Sequence, residues 1–192
     1  MFSLYLQLGF EHITDFNGYD HILFLIALAA VYLLKDWKKV LVLVTAFTIG
    51  HSVTLALSTL NYIKIPTDLI EFLIPVTIFI SAFSDLFFYK IKNNDSVHKF
   101  KYVLAMFFGL IHGLGFSNYL RSLLGGEENI ISPLFAFNIG LEIGQIVIII
   151  LYLSLLALLV SVLKLSRKYI TVITSIIIIL ISVYLMIDRF PY

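Results

Sequence analysis

Residues 132–163 read SPLFAFNIGLEIGQIVIIILYLSLLALLVSVL, an almost unbroken apolar run from Ser132 to Leu163 in which Glu142 is the one charged side chain. Crossing roughly 30 Å of hydrocarbon at 1.5 Å per residue takes about 20 apolar residues. This run is longer than one crossing needs, so it predicts a membrane helix that tilts or projects from the bilayer. Working outward, similar blocks recur at about 18–34, 40–60, 68–89, 100–123 and 169–187, separated by short charged clusters. The expected fold is therefore all-α, a single polytopic membrane domain over 1–192 with six transmembrane helices.

Composition agrees. Of the 192 residues, 60% are hydrophobic and 13% charged, against roughly a quarter charged in soluble domains. The net charge of +1 offers no basic stripe, so no nucleic-acid partner is expected. Cysteine is absent, which leaves His, Asp, Glu, Asn and Ser to carry any chemistry. Met1 to Asp15 has no Lys or Arg and carries Glu11 and Asp15, so no cleavable signal is expected and the first span inserts uncleaved. Met1 to Phe10 alternates too weakly to span, and is expected to lie at the membrane surface or over the bundle mouth.

Basic residues set the expected orientation. Lys35, Lys38 and Lys39 follow span one, Lys90, Lys92, Lys99 and Lys101 follow span three, and Lys164, Arg167 and Lys168 follow span five; Lys64, Arg121 and Arg189 are the three on the other side. Basic loops stay in the cytoplasm, so both termini are expected outside a bacterial cytoplasmic membrane. Trp37, Tyr62, Tyr89, Tyr102 and Tyr169 fall near span ends, where amphipathic aromatics prefer the headgroups.

Counting inward from the outer ends puts His51, His112 and Glu142 at one level, about 14 to 17 Å deep. Asp20, His21 and Glu71 lie shallower, which suggests a polar funnel from outside. On span five, Asn138, Glu142 and Gln145 share one helical face, and on span two Thr45, Thr48, His51, Ser52 and Ser58 form a comparable band. Ala105, Gly109, Gly113 and Ser117 make a small-residue seam beside His112 that admits a neighbouring backbone. An ionised carboxylate at mid-span costs about 2.5–3.5 kcal/mol on insertion scales, so Glu142 needs a partner, a proton or a cation. Imidazoles with a carboxylate suit Ni²⁺, Co²⁺, Zn²⁺ or Fe²⁺. Simple alternatives exist for several of these residues: interhelical hydrogen bonds for His51 and His112, helix capping for Asn17 and Asp20, structural roles for Glu71, Asp85 and Ser52, and a solvated position for His98.

Five ordered blocks carry a resemblance: Gly9-Phe10-Glu11-His12-Ile13, Gly18-Tyr19-Asp20-His21-Ile22-Leu23-Phe24, Phe47-Thr48-Ile49-Gly50-His51-Ser52-Val53-Thr54-Leu55, Phe108-Gly109-Leu110-Ile111-His112-Gly113-Leu114-Gly115-Phe116, and Phe137-Asn138-Ile139-Gly140-Leu141-Glu142-Ile143-Gly144-Gln145. Together they resemble the HupE/UreJ family of membrane proteins, associated with hydrogenase and urease gene sets and described as nickel, sometimes cobalt, permeases. The resemblance implies metal handling, with His12, Asp20 and His21 as the mouth motif and His51, His112, Asn138 and Glu142 as further motif residues.

The expected function is a divalent transition-metal permease whose metal ligands are Asp20, His21, His51, His112 and Glu142, with His12, Ser52, Asn138 and Gln145 as further candidates. The alternative is an intramembrane zinc hydrolase acting on a lipid or lipidated substrate, with Glu142 as general base. A metal-sensing or structural subunit is a third class. Oligomeric state is not legible in the sequence.

Overall fold

In a computed structural model the described residues are 1–88, 95–124 and 130–191; Tyr89, Lys90 and Lys92 lie outside them. Among them the elements are helices, with no strand: α1 Phe2–Thr14, α2 Asp20–Ala29, α3 Trp37–Thr59 after a 3-10 turn at Leu34–Asp36, α4 Thr67–Phe88, α5 Asp95–Gly115, α6 Ser117–Leu124, α7 Ile131–Ser161 and α8 Arg167–Asp188. The chain is an all-helical integral membrane protein. The segment Leu34–Thr59 and helices α4, α7 and α8 are each long and apolar enough to cross a bilayer, and α5 with α6 makes a fifth candidate bent by 51°.

Three expectations change. The predicted first span, 18–34, is helical only over ten residues, Asp20–Ala29, about 15 Å at helical rise and half a crossing. It stops because α8 satisfies its end: Thr171 Oγ1 donates to the Ala30 carbonyl at 3.0 Å, and the Arg167 guanidinium donates to the Val31 carbonyl. Carbonyls left free at a helix end need such partners, above all away from water. The amino-terminal segment, expected at the membrane surface or over the bundle mouth, is helix α1, packed along α7. The single predicted span at 100–123 also breaks, near Phe116, into α5 and α6.

Backbone contact explains two of the pairings. A Cβ added at Gly50 would run into the Met106 carbonyl, one at Gly109 into the Phe47 carbonyl, and one at Gly113 into the His51 carbonyl, so α3 and α5 touch along glycines. Helices α1 and α7 meet the same way, Gly9 against the Phe137 carbonyl and Gly140 against the Leu6 carbonyl. Small residues promote such approach in lipid, where no hydrophobic force separates helix from solvent. Both pairings matter for the site, because they draw His12, His51 and His112 toward one centre.

The two ends of the bundle differ. At one, Lys39 Nζ lies 2.9 Å from His98 Nε2 and Tyr32 Oη 3.1 Å from His98 Nδ1, tying the starts of α3 and α5 to the chain after α2. His98 is buried here, 9% exposed, and not solvated as the basic loop suggested. Starts of α3, α5 and α8 make this the lysine-rich end. At the other, Arg121 Nη2 donates to the Ser58 carbonyl at 2.6 Å and Ser58 Oγ to Ser117 Oγ at 2.9 Å, which lays α6 across the end of α3.

Candidate metal site

His12 ends α1, His21 begins α2, and His51 follows the glycine of α3 that presses on α5. One nitrogen from each of these three rings lies within 4.8 Å of the others. Three imidazoles bound to one tetrahedral ion place their nitrogens about 3.3 Å apart, given bonds of 2.0–2.1 Å. His112 on α5 adjoins the group, its ring 5.3 Å from that of His21.

Unpaired nitrogens mark the group. His12 Nε2, His21 Nε2, both ring nitrogens of His51 and His112 Nδ1 are buried and have no hydrogen-bond partner among the described residues. Buried polar atoms without partners cost about 1–3 kcal/mol each, so a concentration of five on four neighbouring rings calls for a ligand that takes lone pairs. His21 leaves Nε2 free, and Thr77 bears on the tautomer of His112. Thr77 donates its one hydroxyl proton to the Ile74 carbonyl at 2.7 Å and lies 2.9 Å from His112 Nε2. With that proton on the carbonyl, His112 donates from Nε2 to the threonine oxygen and keeps its lone pair on Nδ1.

Aromatic rings wall the cluster. Phe116 lies 4.0 Å from the His12 ring, Phe24 4.9 Å and Phe47 5.2 Å from that of His112, and Phe137 stacks 6.4 Å from His51. Such a low-polarity lining magnifies any charge placed among the imidazoles. Two cavities lead away from the lysine-rich end. One, of about 280 Å³, is lined by His12, Asp20, His21, Glu71, His112 and Arg189 among others. The second, about 600 Å³ and more open, runs past Glu11, His12, Asp15 and Tyr119.

The remaining candidates fall elsewhere. Asp20 faces the smaller cavity but is held by Arg189, whose Nη1 and Nη2 donate to its two oxygens at 2.6 and 3.3 Å. Glu142 accepts from Thr45 Oγ1 at 2.8 Å. Thr45 precedes His51 by six residues on α3, so this carboxylate lies about 9 Å nearer the lysine-rich end and outside the three-histidine group. Gln145 accepts from Thr48 Oγ1 at 2.7 Å; Ser52 donates to the Thr48 carbonyl at 2.6 Å and Asn138 to the Leu134 carbonyl at 2.8 Å, each within its own helix. Sequence reasoning missed Thr77 and Arg189. A lone threonine and a terminal arginine carry no spacing signal, since both act through partners far along the chain.

A family model described as HupE / UreJ protein matches residues 1–189, nearly the whole chain. No curated protein and no solved structure matches it.

Proposed function

The chain belongs to the HupE/UreJ family, and on that premise we propose that it is a permease carrying a divalent cation of the nickel and cobalt class across the bacterial cytoplasmic membrane. The family points to nickel and cobalt transport in general terms. The observation that carries it is the convergence of His12, His21 and His51 with their nitrogens unpaired. Imidazole suits these metals, and the absence of cysteine removes the thiolates that favour softer ones.

The mechanism starts from orientation. The lysine-rich end is the cytoplasmic one by the usual retention of basic loops, which makes the cavity at Asp20 an outer vestibule and puts both termini outside. There the first crossing is a broken one, α1 followed by α2, and the polar break between them lines the larger cavity through Asp15, Phe16 and Asn17. Irregular backbone at membrane depth is tolerated where it lines a cavity, and broken helices serve transport sites in other folds. A hydrated cation enters the vestibule, attracted by Asp20 and Glu71. It exchanges water for His12, His21 and His51, with Nδ1 of His112 as a fourth donor, and Glu142 remains a deeper countercharge.

Protons oppose this binding, because an imidazole that takes one loses the lone pair. The test is uptake by liposomes carrying the purified chain: Ni²⁺ or Co²⁺ is expected to accumulate inside, and accumulation is expected to vanish in His21→Ala. Retained metal binding with no uptake of either ion would refute transport. The hydrolase reading has less support, since Glu142, its general base, is engaged by Thr45 outside the histidine group.

A further inference from the structure

Below the histidines, α4 carries Thr77, Ser81 and Asp85 at intervals of four residues, one helical face. All three are buried, 2%, 3% and 0% exposed. Thr77 touches His112 at the upper end of this stripe, and Asp85 lies about 12 Å further in. Lys101 of α5 pairs with Asp85 Oδ1, both side chains almost fully buried at 5% and 0% exposure. The other carboxylate oxygen, Oδ2, and the Ser81 hydroxyl have no partner among the described residues.

An ion pair at this depth is a costly way to hold two helices. Desolvating both charges offsets most of their attraction, and a neutral pair of similar volume often serves as well. The stripe therefore has the properties of a route: hydroxyl, hydroxyl and carboxylate in single file from the imidazole site, ending on an acid already matched to a cation. Below it the bundle is closed by separable contacts. The Lys101 ammonium lies 5.9 Å from the Tyr32 ring, and Tyr32 and Lys39 both bind His98.

We propose that Asp85, with Ser81, is a second, inner binding position for the permeating divalent cation, and that the Lys101 ammonium is a tethered cation holding this position while the outer vestibule is open. This deepens the permease reading and rests on it. Its logic is exchange. A metal moving inward displaces Lys101 from Asp85, and Lys101, freed toward Tyr32 and His98, loosens the contacts that close the cytoplasmic end. Oxygen donors bind nickel and cobalt more weakly than imidazoles do, so the inner position suits release.

The experiment compares full-length wild type, Lys101→Gln, and the neutral pair Asp85→Asn with Lys101→Gln, using NiCl₂ for equilibrium binding and for liposome uptake. Lys101→Gln is expected to bind one more Ni²⁺ per chain than the neutral pair. The neutral pair avoids an unpaired buried charge, so it is expected to fold, to keep outer-site affinity within about twofold as distant sites usually do, and to lose at least about tenfold in uptake. Equal stoichiometry in the two variants, or wild-type uptake by the neutral pair, would overturn the proposal. If wild type binds Ni²⁺ but transports none, the permease reading fails while the extra equivalent in Lys101→Gln still decides the inner position.

Discussion

Thr77 has one hydroxyl proton, and with the Ile74 carbonyl taking it at 2.7 Å the threonine accepts from His112 at 2.9 Å. Thr77→Val keeps the shape and removes the acceptor, freeing His112 to protonate Nδ1 instead. Partners of this kind are worth about 10–100-fold in metal affinity. Thr77→Val is expected to weaken Ni²⁺ binding by about tenfold, with Thr77→Ser near wild type, in equilibrium titrations of the purified chain. Arg189 acts in the opposite sense. Its guanidinium occupies both oxygens of Asp20 and competes with an arriving cation. Partly exposed pairs are worth up to about 1 kcal/mol, so Arg189→Gln is expected to tighten apparent binding by about fivefold, and to do nothing in an Asp20→Asn background. The same titration reads both effects.

Helix α1 has few ties apart from its glycine contact with α7, yet it carries one of the three clustered imidazoles. Gly9→Leu would drive a side chain into the Phe137 backbone. No rotamer avoids it, because the obstacle is main chain. The variant is expected to release α1 while α3, α4, α5, α7 and α8 remain folded: metal affinity falls at least about tenfold, and helical content by circular dichroism drops by no more than the α1 share. Elements also show where the sequence was readable. Helices α3, α4, α7 and α8 declare themselves by long apolar runs between charged clusters. The end of α2 does not, because Ala30 and Val31 are stopped by Thr171 and Arg167, more than 130 residues away in the chain. The amino-terminal helix was hidden for a related reason. Its apolar face is completed by glycines of α7, and a residue defined by what it lacks leaves little periodic signal. In the site, His51 and His112 are legible in the sequence as polar residues at mid-membrane depth, and His21 as a shallower one beside Asp20. Glu142 joins them in the sequence by depth, by its face shared with Asn138 and Gln145 and by the family resemblance; none of these signals carries the hydroxyl of Thr45 that bonds the carboxylate.

At the scale of the molecule, the proposed orientation and the two-position route make one joint demand: the vestibule and the lysine-rich end should be reachable from opposite sides, and not at the same moment. The chain contains no cysteine, so single cysteines can be placed without a background. Tyr62→Cys, beyond the end of α3, is 76% exposed in the native residue, and Leu163→Cys, past α7, is 57% exposed. With an impermeant maleimide on intact cells, position 62 is expected to label and position 163 only after the membrane is opened; the reverse pattern would invert the bundle and turn uptake into export. A third probe, Ser81→Cys, sits on the buried stripe between His112 and Asp85. In outward-open protein, closed below by Tyr32, His98 and Lys39, it is expected to resist reagent from the cytoplasmic side, and to become reactive there when Ni²⁺ turnover opens the lower half. Acid supplies a control. Protonated imidazoles cannot hold the metal, so at a pH low enough to protonate the cluster binding should fall, with protons taken up as the ion is released. Nickel-dependent labelling at position 81 should fade together with binding. Labelling there that ignores both nickel and pH would mean the stripe opens without the cation, and would separate it from transport.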